Sequence, residues 1–261
     1  RATLRVFPGL KTRLVLFASL AAPQAALSLL RRFRAEDEPA LQAFEYMAGN
    51  AVDLATTLLP GVSLPLAGRA DHYCLVELGH PRADAPLGEM AERVLAEALA
   101  AGEVLDATIA ASQAQAAALW RMREEMPEAQ RRAGPGVKND VSVPLAAFPA
   151  LLEQGIAACE AFLPGVLAIP FGHVGDGNIH FNFIAPKGMT EADFAPFAHP
   201  LMDTMNEVVR HLGGSFSAEH GIGRLKASML ADWRKGPELE AMRRIKAALD
   251  PQALMNPGKV L

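Results

Sequence analysis

The sequence predicts an α+β fold in which helices cover an antiparallel sheet, and three observations carry that expectation. Apolar or alternating runs bounded by turn residues recur along the chain as strands. Stretches with apolar residues at helical spacing lie between them. The segment "HVGDGNIH", residues 173–180, centres Asp176-Gly177 between two apolar runs, a hairpin signal because glycine supplies the positive φ that tight turns need. Strands alternating with helices also suit a parallel sheet, and periodicity alone leaves that alternative open. The hairpin, the alternating strands and the β-α-β-α spacing favour ferredoxin-like antiparallel units.

In chain order, "RLVLFA" at 13–18 reads as the first strand. "PQAALSLLRRFRA" at 23–35 follows as a helix, with proline in its first turn where no N–H is needed. Strands are predicted over 41–48 ("LQAFEYMA") and 71–78 ("DHYCLVEL"). Leu87, Met90, Val94, Leu95 and Leu99 make a second helical stripe, ahead of a strand at 104–109. A helix over 112–126, a strand over 138–143 and a helix over 146–160 come next. The hairpin strands are 167–174 and 179–184, and helices over 190–211 and 237–249 complete the pattern. The last helix is expected to face Leu239, Met242, Ile245 and Leu249 inward.

The 261 residues suffice for one large or two small domains, and no repeat, Ser/Gly linker or charge block divides them, so 1–261 is read as one domain. Hydrophobic residues are 51%, charged residues 21% and net charge −4, a soluble globular profile without the basic field that nucleic acid requires. Cys74 and Cys159 are too few for a disulfide framework and are expected to be reduced structural thiols. The run "LVLFASLAA" at 14–22 falls short of the roughly 20 residues of a membrane helix. No signal peptide is evident, and the opening "RATLRVFPGL", without initiator Met, is expected to be cut from a longer sequence.

The hairpin carries the first candidate site. Its predicted register sets His173 opposite His180, with Cβ atoms roughly 4.5–5.5 Å apart on one face, and Asn182 shares that face. A lone strand histidine is ordinarily structural; two set around a glycine turn can grip one ion. Zinc would need a third ligand, and an open position if the site is catalytic. Glu219 and His220, in "GGSFSAEHGIGRLK" at 213–226, offer that ligand and a general base titrating near neutral pH, although alone such a pair more simply caps a turn. Arg123 and Lys138 would suit a substrate carboxylate, against the simpler role of solvated surface charge. "NPGK" at 256–259 reads as a turn. Neither phosphate-loop pattern, G-x-G-x-x-G or G-x-x-x-x-G-K, occurs, and G-x-S-x-G and H-E-x-x-H are also missing.

Three segments in this order, "GHVGDGNIHFN", "SAEHGIGRLK" and "NPGK", resemble the C-terminal domain of FAD-linked oxidases of the vanillyl-alcohol oxidase type. The closest branch holds D-lactate dehydrogenase, the glycolate oxidase large subunit and D-2-hydroxyglutarate dehydrogenase. The match is specific over 171–261 and looser over 1–170, where "AFEYMAGNAVDL" and the Arg123/Lys138 spacing fit. The resemblance implies an α+β domain whose FAD is held mainly by a separate N-terminal domain, expected to lie outside this chain. It implies that His173, His180 and Glu219 bind a divalent metal, commonly zinc, with His220 as base and Asn182 as a substrate contact. Arg123 and Lys138 become the carboxylate clamp and Asn256 lies near the flavin ring. Pro127 stands four positions after Arg123, where the family often carries a polar group.

The reading is therefore the substrate and metal domain of a flavin-dependent D-2-hydroxy-acid dehydrogenase, inactive as a redox enzyme without its FAD domain. A quinone or electron-transfer flavoprotein is the expected electron acceptor. A homodimer is left open, and a cytoplasmic location is expected, with peripheral membrane attachment open. The rivals are a stand-alone metal-dependent hydrolase using the same His, His and Glu, and a non-catalytic ferredoxin-like binding module.

Overall fold

The computed structural model describes residues 2–261 as two units, one running to Phe216 and the other Ser217–Leu261. In the first unit, strand β1 (Thr12–Leu20) leads into helix α1 (Pro23–Asp37), whose first turn holds Pro23 and whose buried stripe is Ala25, Ala26, Leu29, Leu30 and Phe33. Strand β2 (Leu41–Ala48) passes directly into α2 (Gly49–Leu58), and β3 (His72–His80), α3 (Leu87–Ala100) and β4 (Val104–Ile109) follow. These strands lie in the order β4-β1-β3-β2, every neighbour antiparallel. Strand, helix, strand, strand, helix, strand in that spatial order is the ferredoxin-like unit that the spacing predicts.

Helices α4 (Gln113–Glu124) and α5 (Met126–Ala133) then lead to a second half of the same kind, still within the first unit. Its strands are β5 (Gly136–Val137), β6 (Asp140–Ser142), β7 (Leu167–His173) and β8 (Asn178–Ile184), with α6 (Phe148–Phe162) crossing from β6 to β7 and α7 (Glu191–His211) after β8. Strand β8 lies between β7 and β6, and Ser215, just beyond α7, bridges Ser142 as a one-residue fourth strand. The two halves of this first unit join edge to edge through three residue pairs, Glu45–His173, Tyr46–Gly172 and Met47–Phe171. The sheet is thus continuous and antiparallel throughout its described pairings.

Along β1, Val15 and Phe17 face α2, α4 and α5; on that side Phe17 stacks on Tyr73 with ring centroids 5.3 Å apart. Met47, Leu75, Met122, Met126, Ile169 and Phe171 complete the cluster, so the same sheet face that is apolar in the first half continues under the hairpin of the second. Burying side chains of this size contributes about 1.5–3 kcal/mol each.

Two predicted elements differ, and two helices form where none is predicted. The helix expected over 112–126 stops at Glu124, because Pro127 lacks an N–H and its ring clashes with the preceding turn; it begins α5 instead. The strand expected over 138–143 is shortened to β6 (Asp140–Ser142) and parted from β5, since the Asn139 N–H donates to the Asn182 side chain (3.0 Å) instead of extending a ladder. Helices α2 and α8 (Ala227–Trp233) were not expected, the first because Gly49-Asn50 reads as a turn.

In the second unit, Ser217 Oγ donates to the Gly221 carbonyl (2.8 Å) and receives Lys226 Nζ (3.1 Å), which draws 217–226 into a closed loop. Helix α9 (Pro237–Leu249) begins with proline and buries Leu239. Ile245 and Leu249, expected inward, are 61% and 73% exposed. An amphipathic stripe marks an apolar face without supplying what covers it. Asn256, with φ 48°, starts the expected "NPGK" turn, in which Lys259 N–H donates to the Asn256 carbonyl (3.2 Å).

Candidate active site

The hairpin is built differently from its predicted register. Val174 turns inward and is fully buried at the start of a 3-10 turn, Val174–Asp176, and Gly177 closes it at φ 70°. Glycine is required at 177 because a Cβ would lie 2.2 Å from the Val143 carbonyl oxygen. Phe171, not His173, therefore opposes His180. The offset is two residues, an even number, so His173 and His180 remain on one face as a diagonal pair. Their rings meet edge to face with centroids 5.6 Å apart.

Each histidine faces a carboxylate on the adjoining strand. Glu45 in β2 is paired with His173, and Asp140 in β6 with His180. Glu45 is 3% exposed; its Oε1 lies 2.6 Å from His173 Nδ1 and its Oε2 accepts Arg123 Nε at 2.7 Å. Burial, the largest influence, pushes the Glu45 carboxyl up, but the His173 hydrogen bond and the Arg123 charge outweigh it and hold the group below its usual range. An ionised carboxylate only accepts, so the His173 proton sits on Nδ1. Asp140 Oδ1 is 3.6 Å from His180 Nδ1, a charge contact too long for a hydrogen bond. The Arg123 guanidinium lies over the Phe171 ring, 4.8 Å from its centroid. Arg123, Glu45, His173, His180 and Arg34 line one cavity of about 600 Å³.

The other expected site residues fall elsewhere. Asn182 shares the histidines' face but is buried, its Oδ1 accepting the Asn139 N–H and its Nδ2 donating to Gln130 Oε1 (2.9 Å). Lys138 is exposed and lines a different cavity, of about 450 Å³, with Gln130 and Pro127; the structure does not bring it to the cavity that Arg123 lines. Within the second unit, Glu219 and His220 are adjacent on the 217–226 loop, about half exposed, with Glu219 Oε1 4.0 Å from His220 Nε2. Asn256 is exposed at its turn.

Glu45 and Asp140 went unnoticed in the sequence. The signal for Glu45 is a lone acid inside the apolar run "AFEYMA": a buried charge must be paired, so an acid there implies a cationic or imidazole partner from a distant strand. "KNDVSV" carries no comparable signal for Asp140.

A metal fits the first unit's part of the donor set. Zinc-binding imidazoles ordinarily give their other ring nitrogen to a carboxylate, which is the relation of Glu45 to His173.

This fold recurs in solved structures. An alkyldihydroxyacetonephosphate synthase structure aligns with a TM-score of 0.61 over 95% of this chain and 45% of its own, at 12% identity. p-Cresol methylhydroxylase aligns with a TM-score of 0.61 over 96% and 53%, at 10% identity. Residues 10–260 match the family described as "FAD linked oxidases, C-terminal domain", and the chain belongs to that family. Among curated relatives, D-2-hydroxyglutarate dehydrogenase of Xanthomonas citri pv. viticola is 35% identical over 264 residues, covering 99% of this chain and 53% of the relative. That of Stutzerimonas stutzeri is 35% identical over 86% of this chain and 48% of its own length, and the mitochondrial enzyme of Arabidopsis thaliana 34% over 85% and 38%. The chain spans about half the length of the first of these relatives.

Proposed function

We propose that this chain is the substrate- and metal-binding domain of a flavin-dependent D-2-hydroxy-acid dehydrogenase, working with FAD held mainly by an N-terminal domain. The observation that carries the reading is the convergence of Arg123, His173 and His180 on one cavity in a domain of the FAD-linked oxidase family. Relatives named D-2-hydroxyglutarate dehydrogenase support a 2-hydroxy acid as the substrate class. Exposed Ile245, Leu249, Leu254 and Met255 in the second unit support a further domain covering that surface.

When bound, the flavin would accept the C2 hydride and a divalent metal, zinc by the donor set, would favour loss of the hydroxyl proton. His173 and His180, with Glu219 by its sequence motif, would hold the metal. Arg123 has its Nε committed to Glu45 and makes no second hydrogen bond among the described residues, so its two terminal amino groups are presented to a substrate carboxylate. Lys138, on a separate cavity, and Asn182, whose amide is held by Asn139 and Gln130, would act behind that contact rather than in it. His220 takes the hydroxyl proton, and Asn256 lies beside the flavin.

The test is to assay the natural flavoprotein containing this chain against D- and L-2-hydroxy acids with an artificial acceptor, alongside flavin and metal content. Stereoselective, flavin-dependent oxidation lost on chelation is expected. Metal-dependent hydrolysis without flavin, or no metal and no turnover, would overturn the reading.

A further inference from the structure

We propose that Glu45 is a positioning residue that ties His173 to Arg123, so that one buried carboxylate aims both the metal ligand and the substrate clamp. The inference rests on the reading above, in which those two residues have those roles. Glu45 sits in the interior of an otherwise apolar strand and is 3% exposed, where a carboxylate is retained only if its charge is answered. Each of its oxygens has its own partner: Oε1 the His173 ring at 2.6 Å, Oε2 the Arg123 Nε at 2.7 Å. The partners come from β7 and α4, elements that reach the same cavity from the sheet and from the helix layer above it.

The geometry constrains both partners. The antiparallel pairing sets Glu45 directly opposite His173, so the bond needs no stretched side chain. A hydrogen bond on Nδ1 fixes the ring's tautomer and rotation and directs Nε2 as the coordinating nitrogen. For Arg123, the bond at Nε and the Phe171 face beneath the guanidinium fix the plane in which the terminal amino groups project. Asp140 also opposes a histidine, at the longer distance of 3.6 Å. Glu45 links imidazole to guanidinium through its two oxygens.

The experiment uses the natural flavoprotein containing this chain, comparing the parent with Glu45→Gln, Arg123→Ala and His173→Ala. Zinc affinity is read by competition with a chromogenic chelator, substrate use by KM and kcat for a D-2-hydroxy acid, and the ring hydrogen bond by the imidazole Nδ1–H resonance in proton NMR. Glu45→Gln is expected to weaken zinc binding by about 10- to 100-fold and to raise KM about tenfold with a smaller change in kcat. Arg123→Ala should raise KM while leaving zinc affinity at the parental value. Combining the two substitutions should raise KM by less than the product of the single effects. A Glu45→Gln protein with parental zinc affinity and KM, while His173→Ala loses zinc, overturns the inference and leaves the functional reading standing. A parent protein that neither binds zinc nor oxidises the acid overturns the functional reading itself. If Glu45→Gln does not fold, the parent still decides the matter: the absence of a downfield Nδ1–H resonance that disappears in His173→Ala overturns the proposed link.

Discussion

The two ferredoxin-like halves share a strand order and differ most at the link between their inner strands. In the first half that link, from β2 to β3, runs over residues 49–71 and includes α2. In the second half, from β7 to β8, it is the four residues 174–177. A long link lets an added helix seal the sheet face, and that face carries Phe17, Tyr73, Leu75 and Met47. A short one holds two strand ends at a fixed offset with no cover of their own, and Asn139, Asp140, Asn178 and Asn182 lie buried around it, with Glu45 of the first half across the seam. One frame thus gives a packed half and a chemical half, and the loop decides which is which.

Four measurements break or sharpen this contrast. Phe17→Ala, in the packed half, should cost about 3–5 kcal/mol in urea unfolding, because it removes a fully buried ring stacked on Tyr73. A loss under about 1 kcal/mol would mean the first half's face is not a close-packed core. Gly177→Ala should cost more than Gly102→Ala. Both glycines have positive φ, for which another residue loses about 1–3 kcal/mol, but a Cβ at 102 meets nothing within 4 Å whereas one at 177 meets the Val143 carbonyl at 2.2 Å. Equal losses would show that the hairpin turn tolerates displacement.

A smaller effect is expected from Asn182→Ala, which leaves the Asn139 N–H and Gln130 Oε1 without their partner at a cost of about 1–3 kcal/mol. A double-mutant cycle with Gln130→Ala checks it: additive losses would dissolve the amide network. The smallest effect is pH-linked and belongs to the packed half. Burial, opposed by the Asp71 charge, holds the His72 ring below its usual 6.5, and Tyr46 Oη lies 2.7 Å from its Nδ1. The unfolded chain then binds the proton more readily, so His72 stabilises fully above the usual value and the contribution is lost as pH falls from 6.5 through the folded value. Urea midpoints measured across that range should fall with pH, and His72→Gln should flatten the slope; an unchanged slope would assign it to other groups.

Much of this frame was legible in the sequence, for a physical reason. Strand parity has period two, so reading the hairpin register two residues off still placed His173, His180 and Asn182 on one face. What was hidden depended on long-range pairing. Glu45 and His173 are 128 residues apart, and no local periodicity says which acid meets which imidazole. The Asn139 interruption of the 138–143 strand was hidden likewise, because its cause is a side chain 43 residues away. For α9, the apolar stripe was visible but Ile245 and Leu249 are exposed, since a stripe reports composition and not neighbours.

The seam between the halves is only three residue pairs wide, and one of those pairs is Glu45–His173. Shear of one half against the other must pass through those three pairs, Glu45–His173 among them. A hydrogen bond of 2.6 Å between rigid strand positions loses alignment over small shears. The imidazole therefore works as a strain gauge mounted on the joint between the halves, its orientation reporting how squarely the two are set.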